Sequence, residues 1–218
     1  MSENKSSYIK IKNDRFIVDM MYAKKINMVG RAVYKEINWG NIAVVHVDLW
    51  ERLEELTKVL EKEKLKLKIC DAYRPKIAHE IMKNIIPIDG FFAKSPERSQ
   101  HCLATAIDVC LCDDDGREFL FPTKVDAYKK KYCEQVLQGE VDEFLGYLKK
   151  ARHDYFDEKI KVAISNRKML KDIMESVGLE SINHEWWHYN LPNGKIDRYP
   201  LVLLEAKDFS FREKLNRV

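Results

Sequence analysis

His101 and Asp108 lie seven residues apart in the stretch Ser99-Gln100-His101-Cys102-Leu103-Ala104-Thr105-Ala106-Ile107-Asp108, and His188 closes a second cluster, Glu185-Trp186-Trp187-His188. Two imidazoles and a carboxylate are a donor set suited to catalytic zinc, which takes three protein ligands and keeps a fourth position for water. Attack on an amide also needs a base that accepts the water proton and passes it to the leaving amine, and Glu185, three residues before His188, is the candidate. The oxyanion that develops needs a fixed positive charge, which Arg74 can supply without losing its proton. Together these side chains describe metal-assisted peptide hydrolysis. Singly, each has an ordinary reading: a hydrogen-bonded structural histidine, a helix-capping or Asp71-paired Arg74, tryptophans in a core. Asp108 is less ordinary, because a strand disfavours aspartate. In a regular strand Glu185 and His188 point to opposite faces, so one site can use both only where the strand bulges, twists or turns.

Several elements must bring these residues together. Asp48 can cap a helix in which Leu49, Leu53, Leu56 and Leu60 recur at spacings of three and four. Leu65, Leu67 and Ile69 then alternate with lysines as in a half-buried strand, which leaves Arg74 at a strand end. Pro75 suits the first turn of a second helix with Ile77, Ala78, Ile81, Met82 and Ile85 on its apolar face. The stretch from Ser99 to Asp108 reads as β-prone, and Leu103–Cys112, the aspartate-rich turn at Asp113-Asp114-Asp115-Gly116 and Arg117–Phe121 read as a β-hairpin. Asn166–Val177 carries an apolar stripe that Gly178 ends, and His184–Leu191 is strand-like. Residues Thr123 to Arg152 are charged and weakly periodic, which suggests a helical surface insertion. Tyr22, on composition alone, is a packing tyrosine. The pattern predicts one α+β domain over residues 1–218, with a central mixed or mostly antiparallel sheet flanked by helices.

Composition narrows the partners. A net charge of +3 with interspersed lysine and glutamate makes no field suited to nucleic acid, and no nucleic-acid motif accompanies it. No apolar run approaches the roughly 20 residues that span a bilayer, and Met1–Lys12 is polar, so a cytoplasmic protein without a membrane partner is expected. Cys70, Cys102, Cys110, Cys112 and Cys133 show no CxxC spacing, which favours reduced thiols. No feature specifies an oligomeric state.

Ser99-x-His101-x-x-Ala104-x-Ala106-x-Asp108 resembles the SxHxxGxAxD motif of zinc-dependent D-Ala-D-Ala peptidases, and Glu185-Trp186-Trp187-His188 resembles their ExWH motif. With Asp71-Ala72-Tyr73-Arg74-Pro75, the chain is most similar to the D-alanyl-D-alanine dipeptidases, from about Tyr22 to Asn190. The resemblance implies the fold shared with Hedgehog-type domains, with zinc in a cleft. It implies one zinc ion per chain on His101, Asp108 and His188, with Glu185 as base and Arg74 as oxyanion support. It further implies that Ser99 contacts the substrate and that Tyr22 and Asp154 lie near its free amino group. The activity implied is hydrolysis of D-Ala-D-Ala to D-alanine in cell-wall precursor turnover or glycopeptide resistance. A muropeptide or endolysin-type peptidase, a DD-carboxypeptidase and a non-catalytic zinc-binding module are the alternatives. Ala104 stands where the motif has glycine, and Gln100 where the branch commonly has serine.

Overall fold

A computed structural model describes residues 7–87, 91–126, 154–182, 185–192 and 198–210. The short strands β1 (Tyr8–Lys10), β2 (Phe16–Val18) and β3 (Val44–His46) and the one-turn helix α1 (Val33–Glu36) precede the helix α2 (Val47–Lys62). Leu49, Leu53, Leu56 and Leu60 of α2 are fully buried, each contributing about 1.5–3 kcal/mol by leaving water. The cap of α2 differs from expectation. His46 Nδ1 accepts from the Asp48 backbone N–H at 3.2 Å, while Asp48 sits in the first turn and accepts from the Tyr199 hydroxyl at 2.7 Å.

Strand β4 (Leu65–Asp71) follows, with Leu65, Leu67 and Ile69 buried as the alternation predicts. Helix α3 (Lys76–Ile85) has Pro75 as its N-cap. Its buried face is Ala78, His79 and Met82, whereas Ile77 and Ile85 are exposed, so the expected apolar face is rotated and carries a histidine. After a 3-10 turn at Pro96–Arg98 the chain enters β5 (Ala106–Asp113), whose first seven residues are all buried. The expected hairpin is present only as a short return. Only a Cys112–Glu118 bridge, with Asp113 N–H to Arg117 O and Phe119 N–H to Leu111 O, returns along β5 before the chain leaves the sheet.

Helix α4 (Asp154–Ser176) starts twelve residues before its expected beginning, and Gly178 at φ 77° ends it in the left-handed region that glycine tolerates. Strands β6 (Glu180–Ile182) and β7 (Glu185–Asn190) and the short helix α5 (Lys207–Ser210) complete the order. The main sheet runs β2-β4-β5-β7-β6, parallel between β2 and β4 and antiparallel elsewhere; β1 and β3 form a separate antiparallel pair. This is the mixed sheet with flanking helices of an α+β protein. Of the expected insertion, residues 127–152 lie outside the described structure, as does Cys133; Cys70, Cys102, Cys110 and Cys112 are buried and unpaired. Among the described residues, no helix is long and apolar enough to cross a membrane.

Candidate metal centre and active-site cleft

Register in the middle of the sheet assembles the site. Asp108 of β5 is paired with His188 of β7 on one side and with Asp71 of β4 on the other, so three polar side chains form one row. A row of buried polar groups is costly unless each is satisfied. His188 Nδ1 lies 3.1 Å from Asp108 Oδ1, and Asp71 accepts from Arg74, the Tyr34 hydroxyl at 2.5 Å and the Ala72 N–H.

His101 comes from a turn, not from the strand expected there. Ala104 takes φ 58°, in the left-handed region, its N–H donates to His101 O, and its carbonyl accepts from the His46 N–H. That reversal keeps residues 101–104 out of the ladder and swings His101 over Asp108. It also gives the motif glycine a physical reason, since a glycine holds this conformation without steric cost. The His101 Nδ1–H donates to the Ala72 carbonyl at 2.8 Å, which orients the ring and leaves Nε2 bare.

The bare His101 Nε2 lies 3.1 Å from His188 Nδ1 and 3.4 Å from Asp108 Oδ1. All three residues are buried, and their donor atoms form a group that could hold a metal ion. Bonds of about 2.0–2.1 Å at a tetrahedral angle would separate neighbouring donors by about 3.3–3.4 Å, close to the spacings observed. The residues therefore fit a small divalent cation. Burial opposes ionisation of Asp108, but the two histidines hold its carboxyl well below the usual carboxylate range, so it stays anionic. Burial likewise opposes charging of His101, and Asp108 beside it raises its pKa.

Glu185 and His188 do face the same centre. The pairing of β6 with β7 jumps from Ser181–Tyr189 to Ile182–Glu185, an irregularity of the kind that lets both side chains reach one site, and Glu185 Oε2 lies 3.6 Å from His188 Nδ1. Desolvation raises the Glu185 carboxyl to about 8; His188 opposes the shift, and Asp108 and Asp126 add to it. A carboxyl so placed can take up a proton during a reaction. Arg74, buried, donates from Nε at 3.0 Å and Nη2 at 2.7 Å to Asp71, so its pairing with Asp71 and its place in the cleft hold together. Ser99 is buried in the cleft wall, with Oγ 3.4 Å from the Cys102 N–H.

The cleft that these residues line has a volume of about 270 Å³, suited to a small molecule. One wall holds a carboxylate that sequence reasoning missed. Asp126 is buried, takes φ 55°, and accepts a short hydrogen bond from the Tyr22 hydroxyl. Burial, then the nearby Asp108, push its carboxyl up to about 6, with Arg74 opposing. Tyr22 packs as its composition-based reading has it, fully buried, edge-on to Tyr34 and with the Arg74 guanidinium 5.5 Å from its ring centre, and its hydroxyl also reaches the cleft carboxyl of Asp126. Asp154, expected near Tyr22, begins α4, but its side chain lies outside the described part.

Asp126 is carried by the strap that leaves β5. Phe121 stacks on Trp186 at 4.2 Å with planes 7° apart, the Trp186 Nε1–H donates to Thr123 Oγ1 at 2.8 Å, and Asn166 of α4 donates to Leu120 O at 2.9 Å. Nothing in the local pattern Thr123-Lys124-Val125-Asp126 marks the aspartate as functional.

A mixed sheet whose central strands present Asp108 and His188, with His101 brought in by the preceding turn and a carboxyl and a guanidinium in the same cleft, defines a metallopeptidase site. The chain belongs to the peptidase M15 family: residues 6–204 match the family model described as D-ala-D-ala dipeptidase. Over 185 residues, 85% of this chain and 82% of its relative, it is 26% identical to the D-alanyl-D-alanine dipeptidase of Escherichia coli strain K12. The protein is thus an enzyme, a hydrolase of the metallopeptidase class.

Proposed function

We propose that this chain is a zinc-dependent dipeptidase that hydrolyses D-Ala-D-Ala to two molecules of D-alanine. The observation that carries the reading is the Asp126–Tyr22 pair on the wall of the cleft that holds the His-Asp-His donors and Glu185. A buried carboxylate there is matched by an ammonium, so the site suits a peptide whose free amino terminus lies one residue before the bond to be cut. The names of the family and of the relative, D-ala-D-ala dipeptidase and D-alanyl-D-alanine dipeptidase, support the same substrate.

His101, Asp108 and His188 would hold the ion, and the set of two nitrogens and one carboxylate oxygen is one that zinc uses in catalytic sites. When bound, it polarises the scissile carbonyl and acidifies water. Glu185 takes the proton of the attacking water and delivers it to the leaving amine. Arg74, held in place by Asp71, stabilises the oxyanion, and Asp126 with Tyr22 retains the ammonium. Ser99, which lines the same cleft, contacts the substrate.

The partner in this reading is a small dipeptide, with no nucleic acid or membrane, and the setting is cell-wall precursor turnover or glycopeptide resistance. The buried, unpaired cysteines suit a reducing compartment, and the reading is of a cytoplasmic enzyme. The deciding experiment measures turnover of free D-Ala-D-Ala, its N-acetylated form and L-Ala-L-Ala, with zinc removed and restored. Zinc-dependent cleavage of the free D-dipeptide alone is expected. Cleavage of the N-acetylated form alone would overturn the assignment in favour of a carboxypeptidase.

A further inference from the structure

A dipeptide is charged at both ends, and Asp126 answers only one of them. The other is a carboxylate attached to the carbon next to the scissile nitrogen, so it lies within a few bonds of the metal centre once that bond is in place. Three carboxylates, Asp108, Asp126 and Glu185, already line the cleft, and an uncompensated fourth would meet like charge. Two arginines line it as well, and they differ in availability. Arg74 is buried, committed through Nε and Nη2 to Asp71, and enclosed by the rings of Tyr22 at 5.5 Å and Phe92 at 5.7 Å.

Arg98 is exposed, and its guanidinium makes no ion pair among the described residues. It ends the Pro96–Arg98 turn directly before Ser99, and its backbone is fixed there by Arg98 N–H to Ser95 O, Ser99 N–H to Pro96 O and Leu103 N–H to Ser99 O. The turn therefore presents a free cation beside the wall that bears Ser99 and His101.

The geometry points to Arg98 as a specificity-determining residue, whose guanidinium takes the free C-terminal carboxylate of the residue that leaves. A guanidinium binds a carboxylate through two parallel N–H groups, which fixes orientation as well as charge. Asp126 and Arg98 then act as the two ends of an electrostatic ruler: the first requires a free amine one residue before the scissile bond, the second a free acid one residue after it. A peptide continuing in either direction lacks the charge at that end. The inference rests on the dipeptidase reading and adds to it the recognition of the acid end.

The test compares kcat/KM for D-Ala-D-Ala and its C-terminal amide in the zinc-loaded wild type, Arg98→Gln and Arg98→Lys. The wild type should favour the acid. Arg98→Gln should lower kcat/KM for the acid by about 10- to 100-fold, mostly through KM, the range expected for losing a hydrogen-bonded charge pair. The amide should be unaffected, and Arg98→Lys should restore part of the preference. Where the amide turns over too slowly, its competitive inhibition constant replaces kcat/KM. An acid-to-amide ratio in Arg98→Gln equal to that of the wild type would overturn the assignment, as would parallel losses on both compounds. If the wild type cleaves neither, the substrate reading itself fails and takes the Arg98 assignment with it.

Discussion

Replacing Asp126 by asparagine keeps the shape of the side chain and its ability to accept from Tyr22 while removing its charge. A hydrogen bond to a charged group is worth about 1.5–3 kcal/mol, and at this buried position solvent does little to screen it. At about 1.4 kcal/mol per tenfold, Asp126→Asn should lower kcat/KM for D-Ala-D-Ala by about 10- to 150-fold. Stability should move the other way. In the metal-free protein, a carboxyl that titrates near 6 when folded and near 3.9 unfolded disfavours folding above that range, by on the order of 2–3 kcal/mol at neutral pH, and a bound cation beside Asp108 would reduce that penalty. Asparagine carries no such penalty, so the melting temperature should hold or rise. Steady-state kinetics, thermal denaturation and elemental analysis of zinc, on the same preparations, check all three. A kcat/KM within threefold of wild type would refute the ammonium-binding role. A large loss accompanied by lower stability or missing metal would refute the reasoning that separates Asp126 from the architecture of the site.

Three further outcomes are expected. Glu185→Ala should retain zinc and lower turnover by roughly a hundredfold or more, the scale of a lost general base; unchanged turnover would remove Glu185 from the mechanism. His101→Ala should lose metal by elemental analysis, because a donor and its bond to Ala72 O go together, and stoichiometric zinc in that variant would exclude the ligand role. Burial, then the Arg74 charge, lower the pKa of His79 from 6.5 to about 4, so the unfolded chain binds a proton more readily than the folded one between those values. Stability present above pH 6.5 is therefore lost as pH falls toward 4, by about 2 kcal/mol between pH 7 and 5, and His79→Gln should flatten that part of the urea-denaturation profile.

Much of the scaffold was legible because it follows period. The leucine stripe of α2 and the alternation in β4 are local patterns whose buried sides are set by composition, and the sheet needed only their order. The donor residues could be picked out as histidine and aspartate in short clusters, but their convergence depends on the register between β5 and β7 and on the turn that carries His101, which lie in no local pattern. Where local propensity misled, tertiary context explains it. Ala104 at positive φ turns a β-prone run into a loop, and β5 takes β4 and β7 as its main neighbours, with only a short return at Arg117–Phe119 left of the hairpin that its turn residues suggest. On α3, His79 is inside and Ile77 outside because the histidine holds the loop that walls the cleft, through Nε2 to Ala93 O at 3.2 Å, a demand invisible to an apolar count. Asp126 was hidden for a related reason: its place in the cleft is set by Tyr22, more than a hundred residues earlier, and by the strap that delivers it.

The strand order has a consequence for how the chain comes into being. β5 sits between β4 and β7, so the edge that carries Asp108 stays open during synthesis from Asp113 until Glu185–Asn190 has emerged. Until β7 pairs there, the Ala106–Asp108 side of β5 lacks the strand that satisfies it in the folded protein, and an unpaired strand edge invites pairing with another chain. The same insertion that covers the edge also delivers His188 and Glu185. Protection from aggregation and acquisition of a hydrolytic centre are therefore one event, and the chain gains the means to cut peptides only when its central sheet is closed.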